Sequence, residues 1–176
     1  MTSREINRSI RTGKVQLTPG ERVEHWVNFL FLSIPLVAVA FVLHYDLRVD
    51  GFLIFGIVVF LLLLLRHKLV SPRLEVYRSG LTDQQFKRAN QAVAVGNEWI
   101  ILSNRKSYFC AIQQVGWQWD GIRITAILKE EKLYLNSMVN PSVRANPFTL
   151  GWNRKNKAAL IRQYQSILAR DTQVDP

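Results

Sequence analysis

The chain has 176 residues, with 23 Lys+Arg against 13 Asp+Glu for a formal net charge of +10, which allows one ordinary domain, or a smaller domain with a membrane anchor. Its single cysteine, Cys110, excludes an internal disulfide framework and fits a reducing compartment. The mean hydropathy of +0.02 averages two unlike parts: a pair of long apolar runs, and the stretch from His67 onward, where 16 basic residues stand against 8 acidic ones. That excess suits an anionic surface, either lipid or nucleic acid.

Residues 1–18 carry Arg4, Arg8, Arg11 and Lys14 and read as a flexible basic N-terminus. Thr18-Pro19-Gly20-Glu21 then opens a helix: Thr18 caps, Pro19 suits the first helical position, and Glu21 completes a capping box. The helix leads into residues 26–43, an 18-residue run in which only Asn28 and Ser33 are polar, nearly enough to cross the hydrocarbon core of a bilayer. Pro35 removes one internal hydrogen bond and predicts a kink that neighbouring helices absorb. Asn28, Ser33 and Pro35 are therefore expected on the helix-packing side, because polar and helix-breaking groups avoid lipid. Trp26 and Tyr45 bracket the run as interfacial anchors do.

A short polar loop, 44–51, leads to residues 52–65, an unbroken apolar run of 14 residues that is roughly 21 Å long as a helix. Arg66 and Lys68 can snorkel, and Leu69 and Val70 can lengthen the stretch. Two apolar segments joined this closely predict an antiparallel transmembrane hairpin over 19–68. The core helices of a soluble protein would carry a polar face, and these show almost none. Basic residues flank both outer ends, whereas the loop sets one arginine against Asp46 and Asp50. The positive-inside tendency then predicts two spans in the cytoplasmic (inner) membrane, with both termini cytoplasmic. An apolar run this long, beginning only after 25 residues, does not fit a cleaved signal peptide.

Over 69–170 the pattern changes to short alternating runs. Residues 73–77 read as a strand closed by Ser79-Gly80. Residues 82–96 are ambiguous: Thr82 with Gln85 imitates a capping box and Gly96 a stop, so a helix competes with a strand at 92–95. Residues 98–102 and 107–112 read as strands. Residues 121–128 alternate, with Ile122, Ile124, Ala126 and Leu128 on one face, and 132–139 return across Lys129-Glu130-Glu131 as a hairpin whose turn lacks Gly and Asn. A Pro-broken loop covers 140–148. Residues 153–170 form an amphipathic helix whose stripe of Leu160, Ile161, Tyr164, Ile167 and Leu168 is expected to cover the sheet. Residues 171–176 read as a flexible tail.

Two closely spaced spans that run into VSPRLEVYRSGL (70–81), then short strands that include FCAIQQVGW (109–117), then one C-terminal helix, resemble the bacterial two-span membrane proteins of the YdbS/YcxB type. The resemblance extends from residue 26 to 168 and is one of architecture and loose pattern. It implies a membrane α-helical hairpin plus an α+β cytoplasmic domain, the latter a pleckstrin-homology-like β-barrel or a curved antiparallel sheet capped by a C-terminal helix. It also implies binding or scaffolding at a membrane. A helix at 83–95 would depart from the usual strand succession.

The sequence holds no HExxH, paired CxxC, GxSxG or P-loop pattern. His25, His44 and His67 fall at predicted helix ends, and Cys110 lies in an apolar run where it reads as a small core residue. No catalytic, cofactor-binding or metal-ligating residue is assigned, and no cofactor is expected. Arg66, Lys68, Arg105, Lys106, Arg123, Arg154, Lys155 and Lys157 are the candidates for contact with lipid headgroups or a partner. Trp117 and Trp119 share one strand face, with Trp99 and Trp152 elsewhere, and a hydrophobic core accounts for them better than a binding surface does. Nucleic-acid binding ranks last beside a membrane anchor. The expected role is a membrane-anchored, non-catalytic accessory or scaffold subunit that binds other integral membrane proteins and contacts membrane lipids. The alternative is a regulatory protein that binds anionic lipid or a small ligand.

Overall fold

The computed structural model of the protein describes residues 1–45, 51–114, 121–141 and 151–172, without the side chains of 28, 171 and 172. Trp117, Trp119, most of the loop at 140–148 and the end of the tail lie outside the described residues.

The N-terminus is not the flexible arm that its charge suggests. Residues Ser3–Thr12 form α1, closed at its start by a capping box in which Thr2 N donates to Glu5 Oε2 (2.6 Å) and Glu5 N donates to Thr2 Oγ1 (3.3 Å). Gly13 ends it in the left-handed conformation at φ 63°. A basic helix this short is marginal alone, and its stability comes from tertiary packing. Met1, Ile6 and Ile10 supply that packing against Tyr108, Cys110 and Ile127. Ser9 is fully buried, donating to the Glu5 carbonyl (2.9 Å) and accepting from Gln16 N (3.2 Å).

The second helix, α2 (Pro19–Tyr45), starts as the sequence predicts. Thr18 N donates to Glu21 Oε2 (2.8 Å) and Glu21 N donates to Thr18 Oγ1 (3.2 Å), with Pro19 as the first helical residue. It pairs with α3 (Gly51–Val70). The pair is antiparallel: His25 near the start of α2 meets Lys68 near the end of α3 (3.3 Å), while Phe41, His44 and Tyr45 share a cavity with Gly51 and Ile54 at the other end. Both helices are long and apolar enough to cross a membrane, with mean hydropathy 2.3 over an 18-residue window, of which 6% and 11% respectively is buried. The covered stripes recur every three or four residues: Phe29, Leu32, Ser33, Leu36, Ala40 and Leu43 on α2, and Ile54, Ile57, Leu61, Leu64 and Lys68 on α3.

Five strands form one antiparallel sheet in the order β1-β5-β4-β3-β2: β1 Glu75–Arg78, β2 Ile100–Asn104, β3 Tyr108–Gln113, β4 Ile122–Lys129 and β5 Lys132–Val139. Among the described residues the sheet is open, with β1 and β2 as its edges, so it is not a closed barrel. The ambiguous segment is a helix, α4 (Asp83–Gly96), whose Thr82–Gln85 capping box forms and which buries Phe86, Ala89, Asn90, Val93 and Ala94. Those positions follow the helical period of i, i+3, i+4, i+7 and i+8, which decides against a strand. A last helix, α5 (Trp152–Thr172), lays Leu160, Ile161, Tyr164, Ile167 and Leu168 on the sheet as expected.

The alternation of β4 sorts its side chains to two covered faces. Ile122, Ile124, Ala126 and Leu128 join Phe109, Leu133 and Leu135 beneath α4 and α5. Ile127 faces the other way, with Tyr108 and Cys110, beneath α1. The sheet thus lies between two helical layers, and the layer carrying α1 also receives the hairpin.

Candidate functional site

Chain segments before and after the hairpin meet as a short antiparallel bridge. Lys14 pairs with Arg73, Val15 N donates to the Pro72 carbonyl (2.8 Å), and Leu74 N donates to the Gly13 carbonyl (2.8 Å). The sheet grips this bridge through Asn136, whose Nδ2 donates to the carbonyls of Ser71 and Arg73 (2.8 Å each). Arg123 on β4 forms an ion pair with Glu21 in the first turn of α2, both side chains mostly buried. Lys129 Nζ donates to Asn7 Oδ1 on α1 (2.9 Å). These ties couple the apolar hairpin to the sheet through named side chains rather than through chain connectivity alone.

A cavity of about 420 Å³ opens at this junction. Arg8 lines it from α1, Lys14 from the bridge, Arg22 and His25 from α2, and Lys68 from α3, with Trp26 and Leu69 on its apolar side. His25 and Lys68 are buried, at 7% exposure each. The His25 ring donates from Nε2 to the Lys68 carbonyl, which fixes the tautomer of a neutral ring. Among the described residues no carboxylate lines the cavity. Chemically it can receive an anion, because fixed cations in a part-buried concavity act at lower dielectric than in water.

The basic residues singled out from sequence do not converge. Lys68 reaches the junction cavity, whereas Arg66 is exposed on α3 and does not line it. Arg123 is taken up by Glu21 inside the fold and offers no free charge to a headgroup. Lys157 on α5 pairs with Glu75 on β1, and Lys155 stands over the Trp152 ring, 4.3 Å from its centroid. Arg154 is exposed on α5, while Arg105 and Lys106 are exposed in the β2–β3 turn. Of the three residues assigned to helix packing, Ser33 is buried at 8% and donates to the Phe29 carbonyl of its own helix (2.8 Å). Pro35 is exposed, and the side chain of Asn28 lies outside the described residues.

Arg8, Lys14, Arg22 and His25 were not singled out as site residues. The visible signal is the spacing of Arg4, Arg8 and Arg11, one face of a helix at i, i+4 and i+7, which counts toward membrane orientation only until α1 is known to be folded.

Three titratable groups, two on β1 and one on α5, are held away from their ordinary values. Burial pushes the Glu75 carboxyl up, but hydrogen bonds from Lys157 and Tyr77 with the Lys157 charge outweigh it and leave it below the usual value. Burial, with the Glu75 carboxylate alongside, pushes the Tyr77 hydroxyl up to about 12. Burial also raises Tyr164 well above the ordinary tyrosine value. Among the described residues, no three His, Cys, Asp or Glu side chains stand together as a metal site would require. Comparison with protein-family models, curated proteins and solved structures finds no match.

Proposed function

We propose that this chain is a membrane-anchored, non-catalytic accessory or scaffold subunit that binds other integral membrane proteins through its hairpin and its α+β domain. In this role the domain and both termini face the cytoplasm, and basic residues near the hairpin meet anionic headgroups. The observation that carries the proposal is the coupling at the junction. With the Gly13–Leu74 bridge and the Glu21–Arg123 pair in place, a partner helix seated on α2 or α3 is held in fixed relation to the domain. The outer faces of the hairpin are open to such a helix: Phe31 is 81% exposed and Phe52 86%. An antiparallel sheet followed by a C-terminal helix is compatible with the architecture-level resemblance to two-span proteins that carry a pleckstrin-homology-like domain. The inserted α4 and the open sheet depart from it.

A photo-crosslinking residue at Phe31 tests the role in cells. A discrete adduct with one integral membrane protein is expected, together with recovery of that protein from mild-detergent extracts and weaker recovery for Asn28→Leu. Crosslinking to lipid alone, with no companion protein recovered, would count against a subunit role.

A further inference from the structure

The junction cavity brings together four basic side chains, Arg8, Lys14, Arg22 and Lys68, with His25 beside them. Lys68 is 7% exposed, and among the described residues no carboxylate pairs with its ammonium. Burying an unpaired ammonium is unfavourable, so an anion supplied from outside the chain would complete this arrangement. Arginine and lysine lining one concavity match the chemistry of a phosphate group. The cavity volume lies in the range of about 300–1,000 Å³ common for small-ligand sites. Arg4 and Arg11 extend the positive field outward along α1.

We infer that this cavity binds the phosphate of an anionic phospholipid headgroup. Its apolar wall selects a lipid over a soluble phosphate compound. Trp26, 38% exposed, is the first residue of the apolar run of α2 and sits at the depth where tryptophan marks the membrane interface. Leu69, 46% exposed, faces it from the end of α3. A phosphate among the four cations leaves its glycerol and acyl chains to follow the exposed apolar faces of the two helices. The inference rests on the hairpin being a membrane anchor and does not depend on a protein partner.

The full-length protein in nanodiscs of phosphatidylcholine, with or without phosphatidylglycerol, tests this by native mass spectrometry and thermal unfolding. Wild type is expected to retain phosphatidylglycerol in preference to phosphatidylcholine and to unfold at a higher temperature when it is present. Lys68→Gln and Arg8→Gln should each weaken that retention by about ten-fold or more. The double variant Lys87→Gln with Arg88→Gln, exposed on α4 across the sheet from the cavity, should leave it unchanged. In phosphatidylcholine alone Lys68→Gln should unfold above wild type, since it removes an unpaired buried charge. Arg8 is exposed, so its variant reads retention even if Lys68→Gln misfolds. Equal retention of both lipids, or retention untouched by either variant, overturns the inference. Displacement of phosphatidylglycerol by inorganic phosphate reassigns the cavity to a soluble phosphate compound and overturns the lipid assignment. A wild type that fails to enter nanodiscs refutes the membrane anchor itself, an outcome distinct from insertion without headgroup preference.

Discussion

At Gly121, just before β4, the backbone takes φ +98°, and a Cβ there would stand 2.6 Å from Ile112 Cγ2 and 2.9 Å from the Gln113 carbonyl oxygen. Any other residue meets both a backbone conformation that L-residues avoid and a neighbouring strand that cannot retreat without breaking its pairing. Gly121→Ala is predicted to lower stability by about 2 kcal/mol or more, measured as a fall in the unfolding midpoint of the detergent-solubilised protein. A wild-type midpoint would show that strand β3 gives way freely. At Glu130 and Glu131 the chain keeps L-residues at φ 51° and 56°, in a tight turn of the kind that favours Asn-Gly. The hairpin was legible there despite the unfavourable turn, because alternation on both sides sets a register that runs unbroken from Ile122 opposite Val139 to Lys129 opposite Lys132. What periodicity could not convey was Gly121, since a glycine between two strands looks the same in sequence whether or not another strand presses on it.

Helix starts were readable where a cap precedes an apolar run. Thr18–Glu21 and Thr82–Gln85 both form the boxes their spacing predicts. The equivalent Thr2–Glu5 box opens α1, but only Met1, Ile6 and Ile10 seat that helix, too few apolar positions to stand out among four basic residues by residue 14. The attachment of α5 to edge strand β1 was equally hidden, because Lys157 and Glu75 are distant in sequence. It makes stability depend on pH at both limits. Glu75 titrates below its ordinary 4.5 in the fold, so its contribution is present above that value and is lost as pH falls through the lower folded value. With its side chain 50% exposed, that contribution is under about 1 kcal/mol. Tyr77 is raised from 10.0 to about 12, so its contribution is complete below pH 10 and is lost as pH rises toward 12. Glu75→Gln should flatten the acid limb of a stability–pH profile and also ease Tyr77 ionisation. An unaltered acid limb would remove Glu75 from the account.

Across the molecule, the sequence conveyed the two apolar helices, the antiparallel sheet and its C-terminal helix, because each is written in periodicity within one segment. It did not convey that the first helix belongs to the sheet, since that contact joins residues about a hundred positions apart and leaves no local pattern. Cys110, 6% exposed beneath α1, reports directly on this docking. Removing residues 2–12 should speed maleimide labelling of this sole thiol by about ten-fold or more in the otherwise full-length protein. Equal labelling rates would mean that α1 is dispensable for covering it. The Lys129–Asn7 hydrogen bond spans 122 positions, and this sets a schedule for biogenesis. The helix α1 is made before α2 and α3 yet is among the last to find its seat, because its receptor strands are made only after both apolar helices. Until then a thiol-bearing sheet face stands uncovered, so production of this protein is predicted to be most vulnerable to aggregation in the interval between synthesis of α3 and completion of β4.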